Sequence, residues 1–223
     1  MKAHAVAVLA LSFSLLAAMQ SPRPTKVIFF GDSITEGGVH PGGYIDRMRK
    51  ILKEKNPASG FQLTGAGIGG NKVYDLYLRV DDDVINQKPD WVFIYVGVND
   101  VWHKKSFGTG TDADKFEKFY IALIKKLQAQ GIRVALCTPA VIGEKADGQN
   151  EMDADLTKYS QIIRTLAAKY DLPLCDLRRV FFEYLAKNNA ANKDKGVLTT
   201  DGVHLNEAGN QLVAEEMLKV LVK

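Results

Sequence analysis

A serine attacks a carbonyl only if a base takes its proton and hydrogen-bond donors receive the negative oxygen that forms. The chain carries residues for each of these tasks, and several fall at the ends of runs that read as strands. Ser33 stands in Gly31-Asp32-Ser33-Ile34-Thr35-Glu36-Gly37, directly after the apolar run Lys26-Val27-Ile28-Phe29-Phe30. In a glycine-bracketed turn at a strand mouth it can be reached by a substrate, although serine is also a preferred helix N-cap. Near the far end, Asp201-Gly202-Val203-His204 places a carboxylate three residues before an imidazole. Within a turn the two can point together, the carboxylate orienting the ring and leaving its other nitrogen to take the Ser33 proton. Donors for the oxyanion are the backbone amides of Ser33 and Gly67 and the side-chain amide of Asn99. Glycine suits position 67 because a backbone without a side chain can approach the reacting carbonyl closely.

These residues need a scaffold that brings them to one edge. Apolar runs alternate with helical periodicity from about residue 26 onward, which predicts βαβ units and a mainly parallel sheet. The strands are expected at Lys26–Phe30, Phe61–Thr64, Trp91–Val96, Arg133–Cys137 and Leu172–Leu177. Tyr44, Ile45, Met48, Ile51 and Leu52 mark one helical face, and a helix from about Lys72 to Asn86 follows the second strand. Trp102, His103, Lys104, Lys105 and Phe107 read as a polar loop before a helix built on Phe116, Phe119, Tyr120, Leu123, Ile124 and Leu127. Further helices carry Leu156, Tyr159, Ile162, Ile163 and Leu166, then Val180, Phe181, Tyr184 and Leu185. A closing helix starts near Asn206. Gly143–Met152 and Asn188–Gly196 are polar connections. Ser33, Gly67 and Asn99 then follow the first three strands, at the carboxyl edge where open α/β sheets bind ligands.

Taken together, these blocks resemble the SGNH hydrolases, the GDSL esterase and lipase family. Gly31-Asp32-Ser33 is similar to the first family block, Gly67-Ile68-Gly69-Gly70 to the second, Gly97-Val98-Asn99-Asp100 to the third and Asp201-Gly202-Val203-His204 to the fifth. The resemblance covers most of the chain after residue 18. It implies a flavodoxin-like three-layer α/β/α sandwich and ester hydrolysis without a metal or other cofactor. By the same resemblance Ser33, Asp201 and His204 are catalytic, and Ser33, Gly67 and Asn99 form the oxyanion hole.

Composition narrows the remaining choices. The 223 residues are 46% hydrophobic and 25% charged with a net charge of +3, which suits a globular protein and gives no nucleic-acid footprint. Met1-Lys2 followed by the apolar stretch Ala5–Ala18, broken only by Ser12 and Ser14, predicts a signal peptide over 1–18. That stretch is short for a membrane span. Residues 19–25 read as a linker, 26–223 as one hydrolase domain, and the location as secreted or periplasmic. Cys137 and Cys175 lie in apolar runs and are expected as buried free thiols. Gly65-x-Gly67-x-x-Gly70 fits a dinucleotide fingerprint literally, but its acidic partner is misplaced, since Asp90 precedes its strand. Asp32, Asp100, Asp201, His40, His103 and His204 show no helical metal-ligand pair; Asp100 is expected to hold its loop by hydrogen bonds, and His40 and His103 to be solvated. Export and a polar rim, with Trp102 as a stacking face, point to removal of acetyl groups from carbohydrate. A lysophospholipase or thioesterase, an O-acyltransferase and an inactive sugar-binding module are the alternatives.

Overall fold

The computed structural model describes residues 23–55 and 60–222, so the expected signal peptide lies outside the described residues. In chain order the elements are β1 (Thr25–Gly31), α1 (Ser33–Gly38), α2 (Tyr44–Lys55), β2 (Phe61–Gly67), α3 (Val73–Asp83), a 3₁₀ turn (Ile85–Gln87), β3 (Trp91–Tyr95) and α4 (Val98–Ser106). They continue with α5 (Ala113–Gln128), β4 (Arg133–Cys137), α6 (Asp153–Lys169), β5 (Leu174–Cys175), α7 (Leu177–Asn188) and α8 (Glu207–Leu221). The five strands are parallel and ordered β2-β1-β3-β4-β5. That is the flavodoxin-like doubly wound order, in which β2 and β3 lie on opposite sides of β1.

The sheet forms where the sequence is apolar on consecutive residues, because helices cover both faces. Val27, Phe29 and Phe30 of β1 and Val92, Phe93 and Ile94 of β3 are fully buried. Phe29 meets Phe93 at 5.1 Å and the edge of Tyr44 at 5.7 Å between ring centroids. Each such ring contributes about 1.5–3 kcal/mol by leaving water. Helix α2 packs against α8, while α3, α5 and α6 pack in series. The buried faces are Tyr44, Ile45, Met48 and Leu52 on α2 and Phe116, Tyr120, Leu123, Ile124 and Leu127 on α5. Cys137 and Cys175, partners across β4 and β5, are free and buried.

Four local expectations change. The polar loop around Trp102 and His103 is helix α4: no glycine or proline interrupts 98–106, Asp100 sits in its first turn, and His103, Lys104 and Lys105 sit in its last, as the helix dipole favours. Helix α3 stops at Asp83 rather than Asn86, after Asp81-Asp82-Asp83 has put like charge at the helix's negative end. Strand β5 has only two residues, since Pro173 has no N–H for a ladder and Asp176 already caps α7. The segment before β1 is tied down at its end: Arg23 pairs with Asp90, whose carboxylate also accepts the Lys26 N–H, and Thr25 already belongs to β1.

Candidate active site

Strand order puts β1 between β2 and β3, so the carboxyl ends of these three meet at one edge. Ser33 follows β1 as the first residue of α1, half-buried. It does not cap that helix. Asp32 does, its carboxylate accepting the Ile34 N–H at 3.0 Å, which leaves the Ser33 hydroxyl free. Gly31 is required beneath it, because a Cβ there would meet the Tyr95 carbonyl at 2.3 Å.

The Ser33 Oγ lies 3.0 Å from His204 Nε2, and Asp201 Oδ2 lies 2.7 Å from His204 Nδ1. The other Asp201 oxygen accepts the Val203 and His204 backbone N–H groups at 2.9 and 2.8 Å. One carboxylate therefore shapes the turn and orients the ring within it. Accepting from Nδ1 leaves Nε2 as the acceptor facing Ser33. Partial burial pushes the Asp201 carboxyl up, but the hydrogen bonds from His204 and Val203 outweigh it and hold the group below its ordinary value. Gly202, at φ +99°, takes a conformation that favours glycine.

The second and third blocks stand at the ends of the strands on either side of β1. Gly67 ends β2 against the start of α1: a Cβ would lie 2.1 Å from the Glu36 nitrogen and 2.6 Å from the Asp32 carbonyl oxygen. Its close approach is thus to the chain's own backbone, which accounts for a glycine of the dinucleotide-like pattern. Asn99 is buried in the first turn of α4 and donates through Nδ2 to the Asn71 carbonyl at 3.1 Å. Asp100 accepts the Val73 N–H at 3.2 and 3.3 Å, fastening α4 to the start of α3 as expected of a loop-holding carboxylate. Burial raises both Asp32 and Asp100 to about 7.

Sequence reasoning missed Arg79. Its guanidinium donates to Asn71 Oδ1 at 2.7 Å, to the Gly31 carbonyl at 2.8 Å and to the Ala66 carbonyl at 3.1 Å. One side chain thus holds the residues before Asp32, before Gly67 and beside Asn99. Only its place on the inner face of a helix hinted at burial. His40 is exposed; His103 is half-buried on α4 rather than solvated, and burial lowers its pKa. Among the described residues no group of three or more His, Cys, Asp or Glu could hold a metal ion. Trp102 stands edge-on to His204, with 6.3 Å between centroids. It opens onto a groove of about 390 Å³ lined also by Lys145, Asn150, Glu151, Asp194 and Asp201.

A doubly wound parallel sheet whose carboxyl edge presents a serine, an imidazole and a carboxylate in hydrogen-bonded series has the build of a hydrolase acting on carbonyl esters. The model of the GDSL-like lipase/acylhydrolase family matches residues 29–212, and the chain belongs to that family as a carboxylic ester hydrolase. It is 29% identical to an acetylxylan esterase of Geobacillus stearothermophilus, over 87% of this chain and 92% of that protein. Among solved structures, the acetyl xylan esterase AlAXEase is 61% identical, with a TM-score of 0.85 over 87% of this chain and 98% of that one. Axe2, the acetylxylan esterase from Geobacillus stearothermophilus, superposes with a TM-score of 0.79 at 28% identity, covering 89% of this chain and 94% of its own.

Proposed function

We propose that the protein is an exported esterase that removes acetyl groups from carbohydrate through Ser33, His204 and Asp201. The observation that carries this reading is the series Ser33 Oγ to His204 Nε2 at 3.0 Å and His204 Nδ1 to Asp201 Oδ2 at 2.7 Å. Support comes from the similar esterases, whose names give acetyl xylan as substrate. Catalytic mutants of Axe2 replace a serine, an aspartate or a histidine by alanine.

The Ser33 oxygen attacks the ester carbonyl carbon while His204 Nε2 takes the hydroxyl proton, and Asp201 stabilises the imidazolium. The carbonyl oxygen becomes an oxyanion that accepts from the Ser33 and Gly67 amides and from Asn99. An Asn side chain has two N–H groups, so the bond to Asn71 holds one and leaves the other for the oxyanion. Collapse breaks the bond to the sugar oxygen, which leaves with the proton from His204. Water then attacks acetyl-Ser33 by the same route, His204 again acting as base, and acetate departs. The leaving alcohol must lie against His204. There Trp102 and the polar groove offer an aromatic face and hydrogen-bonding groups, the pairing that a sugar ring accepts.

Residues 1–18 act as the export signal in this reading. Among the described residues no helix is long and apolar enough to cross a membrane. Protein recovered from its native host is expected to begin near Met19 by mass. It should hydrolyse acetyl esters faster than butyryl and octanoyl ones and release acetate from acetylated xylan. A preference for octanoyl esters with acetylated xylan untouched would overturn the substrate assignment, and an intact Met1 on a cytosolic protein would overturn the export.

A further inference from the structure

Glu144 is completely buried, though it lies in the polar connection after β4. Its carboxylate folds inward against the segment that leads into Asp201. The Val197 N–H donates to Oε2 at 2.7 Å; the Leu198 N–H at 2.6 Å, the Thr199 N–H, and the Thr199 hydroxyl at 2.8 Å all donate to Oε1. A buried charge is tolerated only when it is fully hydrogen-bonded, and four donors meet that need.

The contact continues into the catalytic turn. Thr199 Oγ1, while donating to Glu144, accepts the Gly202 N–H at 3.0 Å. The Gly143 N–H donates to the Gly202 carbonyl at 2.8 Å. Both backbone polar groups of Gly202, between Asp201 and His204, are therefore held by the Gly143-Glu144 pair, directly or through one hydroxyl. That pair is itself anchored: the Glu144 N–H donates to the Asp194 carbonyl at 2.9 Å, and Asn189 Nδ2 donates to the Glu144 carbonyl at 2.7 Å. Deeper still, the buried Arg178 pairs with Asp153 and donates to the Ala140 carbonyl, closing the loop from both ends.

We propose that Glu144 is a positioning residue for the catalytic base: through Thr199 and Gly202 it fixes the turn in which Asp201 aims His204 at Ser33. The proposal rests on the Ser33–His204–Asp201 reading above. A glutamine at 144 presents an N–H₂ where an N–H must be accepted, so the turn loosens while the shape is kept. A displacement near 1 Å at a reacting group lowers turnover by up to about 10²-fold.

The test measures kcat and KM on a small acetyl ester, per folded molecule, for Glu144→Gln, Thr199→Val and Thr199→Ser. A second readout is the downfield proton resonance of a histidine Nδ1–H held by a carboxylate. Glu144→Gln and Thr199→Val are expected to lose about 10–100-fold in kcat with KM within about twofold, and to weaken or lose that resonance. Thr199→Ser, which keeps the hydroxyl, should stay near the parent on both readouts. If Glu144→Gln does not fold, the two Thr199 variants decide alone. The proposal fails if Glu144→Gln and Thr199→Val keep the parental kcat and resonance, if the loss lies in KM, or if Thr199→Ser is as impaired as Thr199→Val. Ser33→Ala in the same assay separates this from the reading beneath it: activity surviving there would condemn the triad itself.

Discussion

Asn99 has a structural bond and, in the proposed mechanism, a chemical role. Buried at the start of α4, it donates to the Asn71 carbonyl, and in the proposed mechanism its second N–H donates to the oxyanion. The two roles separate by measurement. Truncation of an oxyanion donor lowers kcat by roughly 10²–10³, with little change in KM because the bond strengthens only in the transition state. Asn99→Ala is expected to behave so, and Asn99→Asp to be at least as damaging, since a carboxylate repels both the oxyanion and the Asn71 carbonyl. Steady-state kinetics with melting curves decides. A less stable Asn99→Ala with normal turnover would leave Asn99 only its structural bond.

At the scale of elements, the site is assembled by backbone meeting backbone. Gly67 at the end of β2 touches the first turn of α1 so closely that a methyl group would overlap main-chain atoms of Asp32, Thr35 and Glu36, none of which can rotate away. Gly67→Ala is therefore expected to destabilise by about 1–3 kcal/mol or more and to displace Ser33. Gly37→Ala, where a Cβ would meet nothing within 4 Å, should be neutral or slightly stabilising. Thermal melts and activity of both variants check the contrast; equal melting points would contradict it. The same distinction explains what the sequence disclosed. The strands were legible because two-sided burial leaves continuous apolar runs, as in Trp91-Val92-Phe93-Ile94-Tyr95. Ser33 and the Asp201–His204 pair, which the fold brings into one hydrogen-bonded series, were legible because each sits in a short local pattern at a strand or helix end. Helix α4 was hidden by its charged exposed face. Arg79 and Glu144 were hidden because their partners lie up to 48 and 55 residues away, and no local periodicity records such contacts.

Over the whole molecule, the imidazole that meets Ser33 comes from a turn 171 residues further on, so only the folded chain brings the two together. Its stability should carry the mark of the two buried carboxyls beside that site. Asp32 and Asp100 are raised to about 7 by burial. In the unfolded chain both return to near 4. Their contribution is present in full below about pH 4 and is lost as pH rises through about 7, because the folded state binds the extra protons. Melting temperature is expected to decline from pH 5 to pH 8, and to decline less in Asp100→Asn; a parent no more sensitive than this variant would contradict the assignment. The central claim, that Ser33 becomes acylated through His204, is tested most directly by covalent trapping. A serine-directed phosphonate that mimics the tetrahedral intermediate should add once per molecule. The adduct should map by peptide mass spectrometry to Ser33, abolish esterase activity in step with labelling, and fail to form in His204→Ala. Full activity after labelling, or an adduct on any other residue, would contradict the account.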